Sequence, residues 1–412
     1  MYKIDICIGF HLVLFNISMK KIHLYIIIIY TLFTLPLNAV RNDSIQFSLL
    51  TCSPGTEIYA LFGHTAIRYQ NFTKDRDIVF NYGMFSFSAP NFIYRFVKGE
   101  TDYMLGINTF EAFRAEYLFR GSSVYQQILN LNQNEKLKLE ELLFTNYQPE
   151  NRVYRYNYFY DNCTTRARDQ IEKSIEGKVE YQALSDSIRS FRGIVHEFTK
   201  GFQWEEFGID LCLGAEADGH IDIRQQMFSP FYMRDFANSA CIVNDKGESR
   251  PLVLKEEIVV DADPDSEMAE PAFPLSPLQC AVIFLMVNII VAYFQIMKKK
   301  IFWFYDLLLY IVQGVAGCII AFLFFVSVHP TVGSNWMILL LNPIPLFYLP
   351  FMIYNGVKMK KDWYHIINAV YLTFFIVLFP VIPQEFNFSV LPLSAGLLVN
   401  AVSHVIVYKK LQ

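Results

Sequence analysis

Cys163 stands in the string Tyr160-Asp161-Asn162-Cys163-Thr164-Thr165-Arg166, at the head of a stretch with helical periodicity. His64 lies upstream in Phe62-Gly63-His64-Thr65-Ala66. A thiol at a helix N-terminus is drawn toward the thiolate, because unpaired N–H groups and the macrodipole favour negative charge there. Thiolate is the nucleophilic form, and an imidazole can take the thiol proton and later return it to a leaving group. The N–H of Cys163 could also donate to an oxyanion. The pair therefore points to covalent chemistry on an acyl group. A cysteine in an arbitrary context is more often an inert core residue, but the polar frame Asp161 to Thr165 argues against that here. A base of this kind usually needs a third group to fix its tautomer. Asn81, in Val79-Phe80-Asn81-Tyr82-Gly83, is the candidate, with Asp77 as runner-up. Arg166 and Arg168 could meet phosphate head groups or be spent in salt bridges. Arg166, Asn162 and Tyr82 are the candidates for substrate binding. His196 and His220 are the other histidines of this region, and His220 sits in a loop, Asp218-Gly219-His220.

These residues need a scaffold. Leu61 to Gln70 and Asp77 to Met84 read as strands, short and rich in β-branched and aromatic residues. Asn91 to Lys98, Thr109 to Arg120 and Gln133 to Tyr147 have helical periodicity, with Asn132 a cap for the last. The cysteine's own helix is expected over Cys163 to Glu176, capped by Asp161 or Asn162 and stopped at Gly177. Its Cys163, Ala167, Ile171 and Ile175 share one face.

The chain has 412 residues, and 53% of them are apolar. Residues 1–39 read as a signal peptide. Met19 is the expected working start, followed by two lysines, an apolar run and a small residue at Ala39. An uncleaved anchor is the alternative, and either would export the domain after it. Residues 40–243 read as one exported globular domain. Residues 244–276 carry nine acids, three bases and four prolines, as a solvated linker would, although Val253 to Val260 could add a strand. The rest, 277–412, holds five apolar stretches at roughly 277–297, 303–328, 335–355, 363–382 and 389–408. Each is near the roughly 20 residues needed to span a bilayer. Asn342-Pro343-Ile344-Pro345 should break the third, and Asp306 reads as an interfacial residue. Lys298 to Lys300, Lys358 to Lys361 and Lys409 with Lys410 all fall at one side of this odd-numbered bundle. The positive-inside rule puts that side, and the C-terminus, in the cytoplasm and the 40–243 domain outside.

A net charge of −4 gives no case for nucleic-acid binding. The seven cysteines form no Cys-x-x-Cys pair, so no zinc ribbon or thioredoxin-type site is expected, and no metal or cofactor is assigned. A disulfide among Cys52, Cys212 and Cys241 is open.

Taken together, Gly63-His64-Thr65-Ala66, Phe80-Asn81-Tyr82-Gly83, Tyr160 to Thr165, and Leu213-Gly214-Ala215 with Met227-Phe228 resemble the exported domain of Lnb-type lipoprotein N-acyltransferases of Bacteroides-like bacteria. The resemblance covers about residues 40–245, with a multi-span tail after it in the expected place. The order His then Cys is similar to circularly permuted papain-like enzymes, the group that includes lecithin:retinol acyltransferase. The resemblance implies an α+β papain-like domain followed by a five-helix bundle in the inner membrane, with Cys163 as nucleophile and His64 as base. It also implies a phospholipid acyl donor and a lipoprotein acceptor. Two other readings keep the residues and change the outcome. Water as acceptor makes a membrane-bound thiol hydrolase, amidase or peptidase. A binding module on an anchor needs no thiol chemistry, but one span would suffice for it.

Overall fold

The computed structural model describes residues 44–184, 188–262 and 273–411. The leader, with its expected start at Met19, lies outside them. The soluble region is built on a sheet. Strands β1 (Ile45–Cys52), β2 (His64–Asn71) and β3 (Arg76–Met84) are followed by helix α1 (Phe92–Lys98), β4 (Asp102–Thr109), α2 (Phe110–Phe119), β5 (Val124–Leu129), α3 (Gln133–Tyr147), β6 (Val153–Arg155), α4 (Cys163–Ser174) and β7 (Lys178–Glu180). Then come α5 (Phe191–Thr199), α6 (Gln203–Cys212), α7 (Ile223–Gln226), α8 (Pro230–Ser239), β8 (Cys241–Val243), β9 (Ser249–Pro251) and β10 (Val253–Val260). The seven-stranded sheet has the order β10-β5-β1-β2-β3-β4-β6, and a three-stranded sheet the order β7-β8-β9. Every pairing of neighbouring strands is antiparallel.

Alternation along the central strand decides where the cores sit. Phe47 and Leu49 of β1 face a core shared with α3 and α4, while Leu50 and Cys52 face a second one with Phe113 and Tyr117 of α2. Helix α4 buries Ala167, Ile171 and the adjoining Ile175 in the first core. Asn132 forms a full capping box with Glu135 at the head of α3, worth about 1 kcal/mol.

Within the stretch 244–276 the linker reading gives way in part to its alternative, because Val253–Val260 forms strand β10. β10 pairs with β5, Glu257 opposite Gln126, and Val260 is buried beside Cys52 and Val79. Its acids do not oppose this because they have partners. Glu256 accepts from Arg234 at 2.9 Å, and Glu257 accepts from Gln126 at 3.1 Å. The six described cysteines are all free, so the disulfide left open by the sequence is absent among the described residues.

Five helices are long and apolar enough to cross a membrane: Pro277–Lys298, Trp303–Phe325, Trp336–Val357, Trp363–Val381 and Val390–Lys410. The third is interrupted, with a 3₁₀ turn at Trp336–Leu339 and regular helix from Ile344. Prolines 343 and 345 supply no N–H there. The freed backbone lies on Gly317 of the second span, where an added Cβ would come within 2.2 Å of the Asn342 carbonyl. Asp306 differs from expectation. It is fully buried rather than interfacial, because Asn400 donates to it at 2.8 Å and His404 lies 3.1 Å from its second oxygen.

The soluble region is tied to the loops at one end of the bundle. The N–H of Val328 donates to Lys98 O at 2.9 Å, and the Tyr158 hydroxyl to Pro330 O at 2.6 Å. Gly214 N–H donates to Thr331 O at 2.7 Å, and Gln384 donates to Leu213 O at 3.1 Å. The Leu213-Gly214 motif is thus part of this joint. Its glycine is required by packing, since a Cβ would come within 2.6 Å of the Asn335 nitrogen.

Candidate active site

Strand β2 begins at His64 and β3 pairs alongside it, with Ile67 opposite Phe80. Continuing that register places Asn81 beside Ala66 and Gly83 beside His64, so His64 and Asn81 share a face on neighbouring strands. The ring Nε2–H of His64 donates to Asn81 Oδ1 at 2.6 Å. That bond fixes the tautomer and leaves Nδ1 for the thiol. Cys163 heads α4 at the same end of the sheet, close enough for the thiol and the imidazole to act on each other's charge. Gly83 is the third wall. Its φ is +88°, and an added Cβ would lie 3.5 Å from Cys163 Cβ and 3.9 Å from His64 Cε1. The positive φ calls for a residue without Cβ, while an added Cβ would meet the two groups at ordinary contact distance.

Burial acts first on the Cys163 thiol and pushes its pKa up. The charge and hydrogen bond of His64, the N–H of Thr65 and the hydroxyl of Thr164 together outweigh that effect and bring it from 9.0 to about 7. Burial lowers the His64 pKa, but the thiolate charge, the bond to the thiol and the bond to Asn81 raise it above 6.5 on balance. Each group favours the charged form of the other, as a thiolate–imidazolium pair requires. Thr65 and Thr164 were not singled out in the sequence. They are adjacent to the two reactive residues, and their hydroxyls lie 3.0 Å apart across the β2–α4 contact.

Asn162, rather than Asp161, caps the helix. Its Oδ1 accepts from the N–H groups of Thr164 and Thr165, each at 2.9 Å. Both amide hydrogens are used as well, toward Tyr158 O and Phe228 O at 2.9 Å each. A side chain with every donor committed has none for a substrate, so Asn162 is a positioning residue. The buried Met227-Phe228 segment supplies one of its anchors. The cap does not claim the N–H of Cys163, which stays at the head of the helix for an oxyanion.

The other expected substrate contacts are also placed elsewhere. Tyr82 is fully buried and donates to Asn146 Oδ1 at 2.6 Å, because alternation on β3 turns it to the opposite face from Asn81. Arg166 is held by both oxygens of Asp161, at 2.6 and 2.8 Å, and lies over the Tyr154 ring. Arg168 is spent on Asp169 and the Arg224 carbonyl. Asp77, the runner-up for the third group, is bonded to Arg68 at 2.8 Å at the far end of the strands. His196 bonds Asp210 at 2.9 Å, and His220 is exposed. His196, Glu206 and Asp210 bring potential ligand atoms within 4.8 Å of one another. The fully buried Arg192, which donates to Asp210 at 2.8 Å, already supplies positive charge there.

Fold and site define a membrane-anchored α+β protein whose soluble sheet domain carries a thiol–imidazole–amide set. Two family models match the chain, the Lnb N-terminal periplasmic domain over residues 34–195 and the Lnb transmembrane domain over residues 268–411. The chain belongs to the Lnb family, with a periplasmic domain followed by a five-helix membrane region. No curated protein and no solved structure matches it.

Proposed function

We propose that this protein is a lipoprotein N-acyltransferase of the inner membrane, with Cys163 as nucleophile, His64 as base and Asn81 as the residue that orients the imidazole. The exported domain is assigned to residues 40–243 together with strand β10. The three lysine clusters and the C-terminus face the cytoplasm. What supports the reading above all is the Cys163 thiol, brought down to about 7 beside an imidazole held at 2.6 Å by Asn81. The sequence of His before Cys, with the cysteine helix laid on an antiparallel sheet, suits a permuted papain-like domain.

The reaction runs in two halves. The thiolate sulfur attacks the ester carbonyl carbon of a phospholipid, and the N–H of Cys163 receives the oxyanion. The C–O ester bond breaks, the imidazolium gives its proton to the departing alkoxide, and a lysophospholipid leaves. Cys163 is then an acyl thioester. The α-amine of a diacylglyceryl-cysteine attacks that carbonyl, His64 takes a proton from the amine, and the C–S bond breaks to restore the thiolate. Both substrates are anchored in lipid, which is what five spans beside the thiol would serve.

The test uses the full chain in phosphatidylethanolamine vesicles with a diacylglyceryl-cysteine peptide. A hydroxylamine-sensitive acyl adduct on Cys163 and then N-acyl peptide are expected, and neither with Cys163→Ala. Free fatty acid without N-acyl peptide would identify water as the acceptor. Full activity of Cys163→Ala would refute thiol catalysis.

A further inference from the structure

Beside the site, the periplasmic domain exposes apolar side chains that a water-soluble surface rarely groups together. Ile93 of α1 is 77% exposed and Phe87 66%. Tyr59, Phe85 and Phe87 are in mutual edge contact, and Phe85 stacks on Phe92 of α1. Tyr94 and Phe96 add to the same helix and are exposed too.

Two features indicate what covers this patch. First, it continues the outer surface of the second span. The Tyr94 ring lies 5.9 Å from that of Phe322, and Phe96 packs on His329. Ser327 Oγ donates to Val97 O at 2.8 Å, so α1 is bonded to the chain as it leaves the membrane. Val312, Val315, Ile319 and Phe325 of that span are exposed, as side chains facing lipid would be. Second, the patch leads inward to the thiol. Phe85 is two residues beyond Gly83, whose added Cβ would be 3.5 Å from that of Cys163. Phe85 stacks on Tyr103 at 4.9 Å, and Tyr103 on Tyr156 at 4.1 Å. Tyr103 belongs to the hydrophobic core against which both Tyr156 and Cys163 pack.

We infer that the patch of Tyr59, Phe85, Phe87, Ile93, Tyr94 and Phe96 is immersed in the outer leaflet and takes an acyl chain of a bilayer phospholipid, bringing its ester to Cys163. The occupant is lipid because the patch is continuous with a lipid-facing span and opens toward a thiol that would need an ester. The inference rests on the acyl-transfer reading, and its test separates the two. Full-length protein is placed in phosphatidylethanolamine and phosphatidylglycerol vesicles doped with a phosphatidylethanolamine that carries a diazirine on one acyl chain. Cross-linked peptides are mapped after illumination. Residues 85–96 are expected to be labelled along with the spans. Phe72, exposed in the β2–β3 turn, should not be, because β2 carries it roughly 25 Å from His64. Ile93→Asp and Phe87→Asp are expected to lower Cys163 acylation by vesicle phospholipid at least tenfold, with Phe72→Asp as the unaffected control. Alkylation of Cys163 by iodoacetamide in each variant reports whether the fold and the thiol survive. Labelled spans with an unlabelled 85–96 segment would overturn the inference and leave the acyl-transfer reading standing. So would unchanged acylation in both aspartate variants. Labelling of 85–96 with no adduct on wild-type Cys163 would refute acyl transfer instead, leaving the patch as a membrane contact without an ester to deliver.

Discussion

Replacing His64 with alanine should raise the Cys163 pKa from about 7 to above 9. Burial raises the thiol, and the imidazole supplies the two largest effects that oppose it, its charge and its hydrogen bond. The Thr65 N–H and the Thr164 hydroxyl remain but are the smaller contributions. With a value near 7, about half of the thiol is ionised at pH 7; at 9 the share is about one part in a hundred. The variant therefore has about fiftyfold less thiolate at that pH. Its thiolate is also more basic, and hence about tenfold more reactive by the usual dependence of thiolate nucleophilicity on pKa. The rate at pH 7 is then expected to fall only about fivefold, so the position of the inflection is the better readout. The assay is iodoacetamide alkylation of the Cys163 peptide across pH 5–11, read by mass spectrometry on the full chain. Thiolate is the deprotonated form, so reactivity of the wild type should rise through about pH 7 and that of His64→Ala only above pH 9. Acyl transfer needs both charged partners. It should fall at low pH as the thiolate is protonated and at high pH as the imidazolium loses its proton. An inflection near 7 in His64→Ala would refute the argument that the imidazole sets the thiol.

Other consequences can be measured on the same preparation. Asn81→Ala removes the 2.6 Å bond to His64 and should slow acyl transfer more than it moves the alkylation inflection, because the ring loses its orientation but not its charge. Gly83→Ala must hold alanine at φ +88° against Cys163. A loss of about 1–2 kcal/mol in thermal stability is expected, with slower alkylation. Asn162→Ala leaves four hydrogen bonds unmade and should cost about 2–4 kcal/mol. Asn162→Asp keeps the acceptor and should recover part of it. In the membrane, Asp306→Leu strands the buried Asn400 amide, and a loss of about 1–2 kcal/mol of stability, read as a lower melting temperature in detergent, is expected.

Much of the site was legible in the sequence because local rules govern it. A cysteine after Asp-Asn at the head of an amphipathic stretch is a capped helix start, and α4 begins there. Asn81 lies on the strand next in sequence to that of His64, so a simple hairpin register is enough to bring the two together. Other parts were not legible. Strands β4 and β5 carry no clean alternation. β1 alternates over Ile45-Gln46-Phe47-Ser48-Leu49, but Leu50 and Cys52 then put apolar side chains on the other face, so Phe47, Leu49, Leu50 and Cys52 all have no exposure and the pattern of a strand with one polar face is lost. The strand at Val253 to Val260 was open as an alternative to a linker; what the sequence hid was how its acids are satisfied, since their partners, Arg234 and Gln126, come from distant parts of the chain.

The sequence by itself determined the layout, with a soluble region, five apolar stretches, lysines at one side, a thiol in a polar frame and an imidazole at the start of a strand. Composition and periodicity are properties of neighbours along the chain, so they survive without a fold. Only the tertiary structure decided what each polar side chain is used for. It turned Tyr82 into the core and committed Asn162 to its cap. It closed Arg166 onto Asp161 and Asp306 onto Asn400, and set Thr65 and Thr164 against the sulfur. A hydrogen-bonding group has few partners to satisfy, and which ones reach it depends on strand register and helix docking rather than on its position in the chain.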